Sequence, residues 1–264
     1  MTTLALPAPR LLRADVLKFR RRRGLAVVVG VLTIVAITLT YAIIELFHVA
    51  NAAKYGAAGG LDNLANGTNL VATLGAAAAA IVGGVAAVGD RDAGVYRDLV
   101  VTGRSRVALL LSRMLGGLAY LLPFVAGAFA IACVASVALR GNLAAPSLHV
   151  MVAGGLWTLL SVTFYYLVSF GVACLTGSRS YTIGIVLAFR LALTPLLASI
   201  SALGVVREIV PGSALTHIAP ASLTQAVSQG AVVPMSIGAA AAVLVAWTML
   251  SLVLGGLRDV RRDA

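Results

Sequence analysis

Six stretches of the chain stay apolar for twenty residues or more, at 24–46, 69–89, 114–139, 150–174, 181–203 and 232–257. Between them lie short segments that hold nearly all of the charge. A helix needs roughly 20 apolar residues to cross about 30 Å of hydrocarbon, so each stretch is long enough to span a bilayer. Inside lipid the backbone must satisfy its own hydrogen bonds, which predicts helices throughout. The period-two alternation of a membrane β-barrel is missing. The first stretch follows a basic run, and Ala50-Asn51-Ala52 has the look of a cleavage site. Its apolar run nevertheless exceeds the roughly 7–15 residues of a signal-peptide core, so it reads as a retained helix.

Composition sharpens this picture. Sixty per cent of the 264 residues are hydrophobic, only 11% are charged, and mean hydropathy is +1.00. A soluble domain carries about 25% charged residues, so a soluble enzyme is excluded. The net charge of +11 would suggest nucleic acid in a soluble chain, but here the basic residues cluster at the edges of apolar blocks. No nucleic-acid partner is expected. Cys133 and Cys174 both lie in apolar runs and support neither a disulfide framework nor a metal site.

Orientation follows from where Lys and Arg fall. The N-terminal segment, the loop between the second and third stretches, the turn before the fifth and the C-terminal tail together carry sixteen of them. The opposite side has Lys54, Arg140 and Arg207, and Arg190 falls within the fifth stretch. By the positive-inside rule both termini are cytoplasmic. The expected organisation is an all-α, six-span bundle. Residues 1–23 form a cytoplasmic interfacial helix and basic anchor, 24–257 the membrane domain, and 258–264 a cytoplasmic tail. Within the membrane domain, 90–113 is a cytoplasmic loop, and 204–231 is too polar for a span and reads as short external or re-entrant helices. Small residues at 76–80, 83–84, 116–117 and 154–155 favour close helix packing. Pro195 should kink the fifth span, and Pro123 stands in the third. No repeat relates the two halves, which weighs against an inverted-repeat carrier.

Several chemistries have no residues to carry them. Lys18 and Lys54 are followed by Phe19 and Tyr55, so no phosphate-binding loop exists and this chain cannot bind ATP in that way. His48, His149 and His217 are scattered, without zinc spacing, and there is no nucleophile elbow. Ser213 and His217 stand four apart, but no third residue orients the histidine. No catalytic residue and no metal ligand is assigned.

Two polar segments are more informative. The loop Asp90-Arg91-Asp92-Ala93-Gly94-Val95-Tyr96-Arg97-Asp98-Leu99-Val100-Val101-Thr102-Gly103-Arg104-Ser105-Arg106 places Tyr96, Leu99 and Val100 on one face of a short helix, with Asp92, Arg97 and Asp98 around it. Gly103 ends that helix, and Arg104 and Arg106 precede the third span. Mixed charge on a short amphipathic helix suits a protein contact better than anionic lipid. At the N-terminus Leu12, Val16 and Phe19 share a face, and Arg20 to Arg23 then meet the membrane, the pattern of an interfacial helix at headgroup level.

These two segments carry a resemblance. The entry Ala14-Asp15-Val16-Leu17-Lys18-Phe19-Arg20-Arg21 and the loop Gly94-Val95-Tyr96-Arg97-Asp98-Leu99-Val100-Val101-Thr102-Gly103-Arg104-Ser105-Arg106 together resemble the membrane subunit of type-two ATP-binding-cassette exporters. The family often has glutamate at the position of Asp15 and Gly-Thr where Gly94-Val95 stands. The resemblance implies a permease that pairs with a second copy or a paralogue and docks two separate ATPase subunits, which hold the ATP and Mg. It also makes the first cytoplasmic loop a coupling helix. Asp92, Gly94, Tyr96, Arg97, Asp98, Leu99, Val100, Gly103, Arg104 and Arg106 become the candidate contacts, with the tyrosine, leucine and valine packing and the charged groups setting register.

For the transport path, Arg190 stands out. Nine residues beyond Tyr181 it lies about 13 Å deep, so it must face protein or water. Glu45 matches it in sign but sits near the outer end of the first span, so the two are candidates for the pathway rather than a simple pair. The expected function is export of a small lipophilic or amphipathic compound, by a multi-pass subunit of the cytoplasmic membrane in contact with lipid. Arginine over lysine and abundant alanine hint at a GC-rich bacterial genome. An ion-gradient carrier or a scaffold without an ATPase partner is the alternative. A proton-coupled carrier would prefer acidic groups or histidine within the spans.

Overall fold

The computed structural model describes residues 9–94, 105–224 and 232–261. Among them the chain is all-helical, and six helices are long and apolar enough to cross a membrane. This is a multi-pass membrane protein. Helix α1 covers Pro9–Arg21. The six long helices are α2 (Arg23–Ala50), α3 (Leu61–Asp92), α4 (Arg106–Ala138), α5 (Leu148–Thr176), α6 (Arg179–Ser199) and α8 (Ile237–Arg261). Between α6 and α8 come a 3-10 helix at Ser201–Ile209, the short α7 (Pro211–His217) and a 3-10 turn at Ala221–Leu223.

Local chemistry starts and stops these helices. The hydroxyls of Ser105, Ser147 and Ser178 accept the backbone N–H of Ala108, Val150 and Tyr181, capping α4, α5 and α6. Gly177 ends α5 in the left-handed conformation, at φ 70°, which glycine takes without a Cβ penalty.

Several helices differ in length from their apolar stretches, and the partners explain why. Helix α3 begins at Leu61 rather than 69. There Asn63 Nδ2 donates to the carbonyls of Ala57 and Gly59, and the Tyr41 hydroxyl donates to the Asn63 carbonyl. Helix α4 begins at Arg106 because Ser105 caps it and Leu109, Ser112 and Arg113 are buried. Helix α6 stops at Ser199, since Ile200 turns extended. Helix α8 starts after Pro234, with Ser236 accepting the Ala239 N–H, and continues through Arg261. At Pro195, where a kink is expected, a π-helical segment, Phe189–Leu193, stands directly before the proline's turn. The wide turn falls where the proline ring would otherwise meet the Leu191 carbonyl. Helix α4 runs unbroken through Pro123, and a second π segment, Val31–Val35, interrupts α2.

Helices α3 and α5 form the centre. Their most apolar windows are 72% and 61% buried, against 22–33% for the other four spans, whose outer faces are left for lipid. Small residues make this close packing feasible, as the sequence pattern anticipates. Ala76, Ala78, Ala79 and Ala80 are fully buried. A Cβ on Gly83 would press on Ser169 and the Phe170 backbone, and one on Gly117 would strike the Tyr166 hydroxyl. At the α5–α8 crossing a Cβ on Gly171 would strike the Ser251 carbonyl. Without a hydrophobic drive between helices in lipid, such van der Waals fit supplies association. The fully buried Tyr166 then donates its hydroxyl to the Met114 carbonyl at 2.7 Å, tying α5 to α4.

Candidate functional site

Among the described residues, the arginine-rich end of the bundle gathers four ion pairs. Asp259 on α8 is completely buried and meets Arg91 of α3 at 2.8 Å and Arg113 of α4 at 3.2 Å. Arg91 also donates to the Asp259 carbonyl at 3.0 Å, and Arg113 donates to the carbonyls of Ala87 and Leu109. Bonds from both guanidinium groups offset the cost of burying a carboxylate. Beside this cluster, Lys18 of α1 pairs with the buried Asp90 of α3. Burial pushes the Lys18 ammonium below its ordinary pKa, with Arg22 and Arg113 adding to the fall and Asp15 opposing it. The fourth pair joins Asp92 of α3 to Arg179 at the start of α6, at 3.0 Å, with both side chains about half exposed.

Helix α1 reaches this end by packing along α4. Asp15 rests on Gly116, where any larger residue would collide, and Phe19 stacks on Tyr120 with ring centroids 5.6 Å apart. Both contacts advance by four residues on each helix, so α1 follows the direction of α4. Arginine side chains continue the seam: those of Arg22 approach Gly89.

Three of the candidate coupling residues, Asp92, Gly94 and Arg106, are among the described residues. Asp92 is held by Arg179, Gly94 closes α3 at φ 71° with open space beside it, and Arg106 is the first residue of α4. Tyr96, Arg97, Asp98, Leu99, Val100, Gly103 and Arg104 lie outside the described residues. Asp259, Asp90, Arg113 and Arg179 carry the structural role that sequence reading passed over. Counting arginines for orientation set aside the acids lying among them. The signal was an aspartate embedded between Arg258 and Arg261 directly after an apolar span.

Arg190 occupies the middle of α6 and is 7% exposed. Its Nη2 donates to the Thr73 hydroxyl of α3 at 3.4 Å, and its guanidinium lies 5.6 Å from the centre of the Tyr165 ring on α5. The charge is thus turned into the protein, as an intramembrane charge requires. Glu45 stands apart on α2: one of its carboxylate oxygens is buried without a hydrogen-bond partner among the described residues, and it forms no ion pair with Arg190.

The chain after α6 folds back into the bundle. The Trp247 indole donates to the Ile209 carbonyl at 2.9 Å, ten residues into α8, and Gly212 abuts the Thr194 side chain, five residues before α6 ends. Helix α7 therefore starts about 8–15 Å inside the end opposite the ion pairs. It then packs mainly against α8 and reaches α5 through Pro211 near Tyr165 and the Trp157 indole, which donates to the Leu215 carbonyl at 2.8 Å. Residues 201–217 thus fold back against α6 and α8. Ser161, Tyr165, Thr194 and Ser213, on the helices meeting at this fold-back, have buried hydroxyls with no hydrogen-bond partner among the described residues. Buried hydroxyls are normally paired with protein or water, so these groups form a polar zone able to receive either water or the polar part of a ligand. Ser213 and His217 share α7, and no hydrogen bond joins them among the described residues.

Compared with known proteins, the chain matches no family model and no curated sequence.

Proposed function

We propose that this chain is the permease subunit of an ATP-driven exporter of the ATP-binding-cassette class. It works with a second copy or a paralogue in the cytoplasmic membrane, with the arginine-rich end facing the cytoplasm. Separate ATPase subunits bind ATP and Mg and dock on the 92–106 loop. The observation that carries this reading is the way the base of that loop is fastened. Asp90, Arg91 and Asp92 at one flank and Arg113 beyond the other are ion-paired to α1, α6 and α8. A displacement imposed on the loop is therefore delivered at once to three further helices, which is what a coupling element needs.

On this reading, closure of the ATPase pair pushes the loop, and the ionic knot moves the α3 and α4 ends together with α1, α6 and α8. Packed helices move as semi-rigid bodies rather than deforming continuously. The π segments at Val31–Val35 and Phe189–Leu193 lie partway along α2 and α6, where bending can be absorbed. The moving bodies meet the folded-back 201–217 segment at the far end, which serves as the exit gate. Arg190 and the hydroxyls of Ser161, Tyr165, Thr194 and Ser213 would hold the polar portion of an amphipathic cargo as it passes. Glu45 lies toward the same end but outside that zone. Apolar surroundings fit a small lipophilic or amphipathic compound.

The test is the double variant Arg97→Glu with Arg104→Glu. Membrane insertion should match that of the native chain, while ATP-dependent efflux is lost and ATP hydrolysis by the complex no longer responds to cargo. Normal efflux in this variant refutes the coupling assignment.

A further inference from the structure

A second binding site is built where α1 turns into α2. A cavity of about 430 Å³ opens there between α1, α2 and α4, lined by Val16, Arg20, Ala26, Ala119, Tyr120, Pro123 and Phe124. Its lining is apolar apart from Arg20, which is exposed at one end, and the Tyr120 hydroxyl, which is buried with no hydrogen-bond partner among the described residues. Ala26 and Ala119 leave the hollow by their small size. Tyr120 and Phe124, 5.4 Å apart at the ring centres, form its back wall, held from behind by Phe19 on Tyr120.

The position of this cavity decides its occupant. Arg20 opens the run Arg20-Arg21-Arg22-Arg23, which marks the level at which the chain enters the membrane. Arg22 leaves the helical conformation between α1 and α2; Ala26 stands in the first turn of α2, beyond the arginine run, and Pro123 and Phe124 lie one turn past Ala119 on α4, further from the arginine-rich end. One end of the cavity is therefore cationic and at headgroup depth, and the other is apolar and in the hydrocarbon. Ala119 and Pro123 are exposed at its mouth, so it is open to the lipid side.

We infer that this cavity seats one anionic phospholipid from the leaflet at the arginine-rich end. Its phosphate pairs with the Arg20 guanidinium, and the upper part of an acyl chain fills the space between Ala26, Ala119 and Phe124. Arginine matches phosphate by bidentate hydrogen bonding, and a basic side chain at a membrane surface favours anionic lipid. The lipid splints α1 against α4, beside the Asp15–Gly116 and Phe19–Tyr120 contacts. The assignment does not depend on the transport reading, because it rests on the cavity and on Arg20 alone.

The experiment titrates delipidated full-length protein in detergent with phosphatidylglycerol or phosphatidylcholine and counts retained lipid by native mass spectrometry. The native chain should keep one phosphatidylglycerol per copy in preference to phosphatidylcholine. Arg20→Gln should lower that retention about fivefold, the effect of one basic side chain near an anionic surface. Ala119→Leu fills the hollow at an exposed position and leaves every charge in place. It should abolish the retained lipid and remove the rise in melting temperature that phosphatidylglycerol gives the native chain. Equal retention of the two lipids overturns the inference, as does unchanged retention in either variant or a tightly held occupant that is not a phospholipid.

Discussion

Replacing Asp259 with asparagine is the sharpest structural test of the knot beneath the loop. The change keeps the side-chain shape and removes one negative charge. In the native chain that charge is fully buried and faces Arg91 and Arg113, the latter only 4% exposed at its side chain. Asparagine removes the charge that Asp259 presents to both guanidinium groups, and breaking a buried pair in this way costs about 3–5 kcal/mol. Asp92→Asn is the internal control. Its partner Arg179 is 48% exposed and Asp92 itself 42%, so solvent replaces the lost interaction and the cost is about 0–1 kcal/mol. Unfolding in mixed micelles of rising SDS content measures both. Adding Arg113→Gln to Asp259→Asn should cost less than the sum of the single changes, since both substitutions remove the same interaction. An Asp259→Asn protein within about 1 kcal/mol of the native chain refutes the reasoning, because the aspartate would then behave like an exposed one.

Other expectations follow from the same geometry. Gly171→Ala sets a methyl against the Ser251 backbone, forcing α5 and α8 apart at a cost of about 1–3 kcal/mol, read by the same unfolding assay. Tyr166→Phe removes the hydrogen bond to the Met114 carbonyl and should cost about 0.5–1.5 kcal/mol. For orientation, a thiol at Ala93→Cys should react with an impermeant reagent only after cells are opened, and one at Asn142→Cys should react in intact cells; the reverse pattern refutes the assigned topology. Arg190→Gln should leave the protein folded and inserted but slow efflux of anionic cargo more than of neutral cargo. Equal rates for both cargo classes would remove Arg190 from the path.

Much of the architecture was legible because the bilayer imposes it. A run of twenty apolar residues has few alternatives to a spanning helix, and the glycine and alanine clusters sit where helices cross. Helix ends were less legible. Leu61 to Thr68 reads as a polar loop by hydropathy, yet Asn63 binds the turn before it and Gly67 packs on Tyr41, so the helix persists. The fold-back of 201–217 was not legible, because it depends on the indoles of Trp157 and Trp247 bonding the backbone carbonyls of Leu215 and Ile209 from distant helices. The ionic knot was the least visible. Its members come from 18, 90–92, 113, 179 and 259, and no local period links residues that far apart. Arg190 announced itself by its cost in lipid, whereas the choice of Thr73 and Tyr165 as its neighbours depends on the packing of three helices.

The central claim is that a separate ATPase docks on the loop fastened by this knot. Purifying the tagged chain from its native host in mild detergent, identifying its stoichiometric partners and assaying ATP hydrolysis tests it directly. The account predicts a partner with a nucleotide-binding loop that hydrolyses ATP and is lost when residues 92–106 are altered. A homo-oligomer free of any ATPase contradicts it and leaves a carrier driven by an ion gradient, or a scaffold, as the better reading.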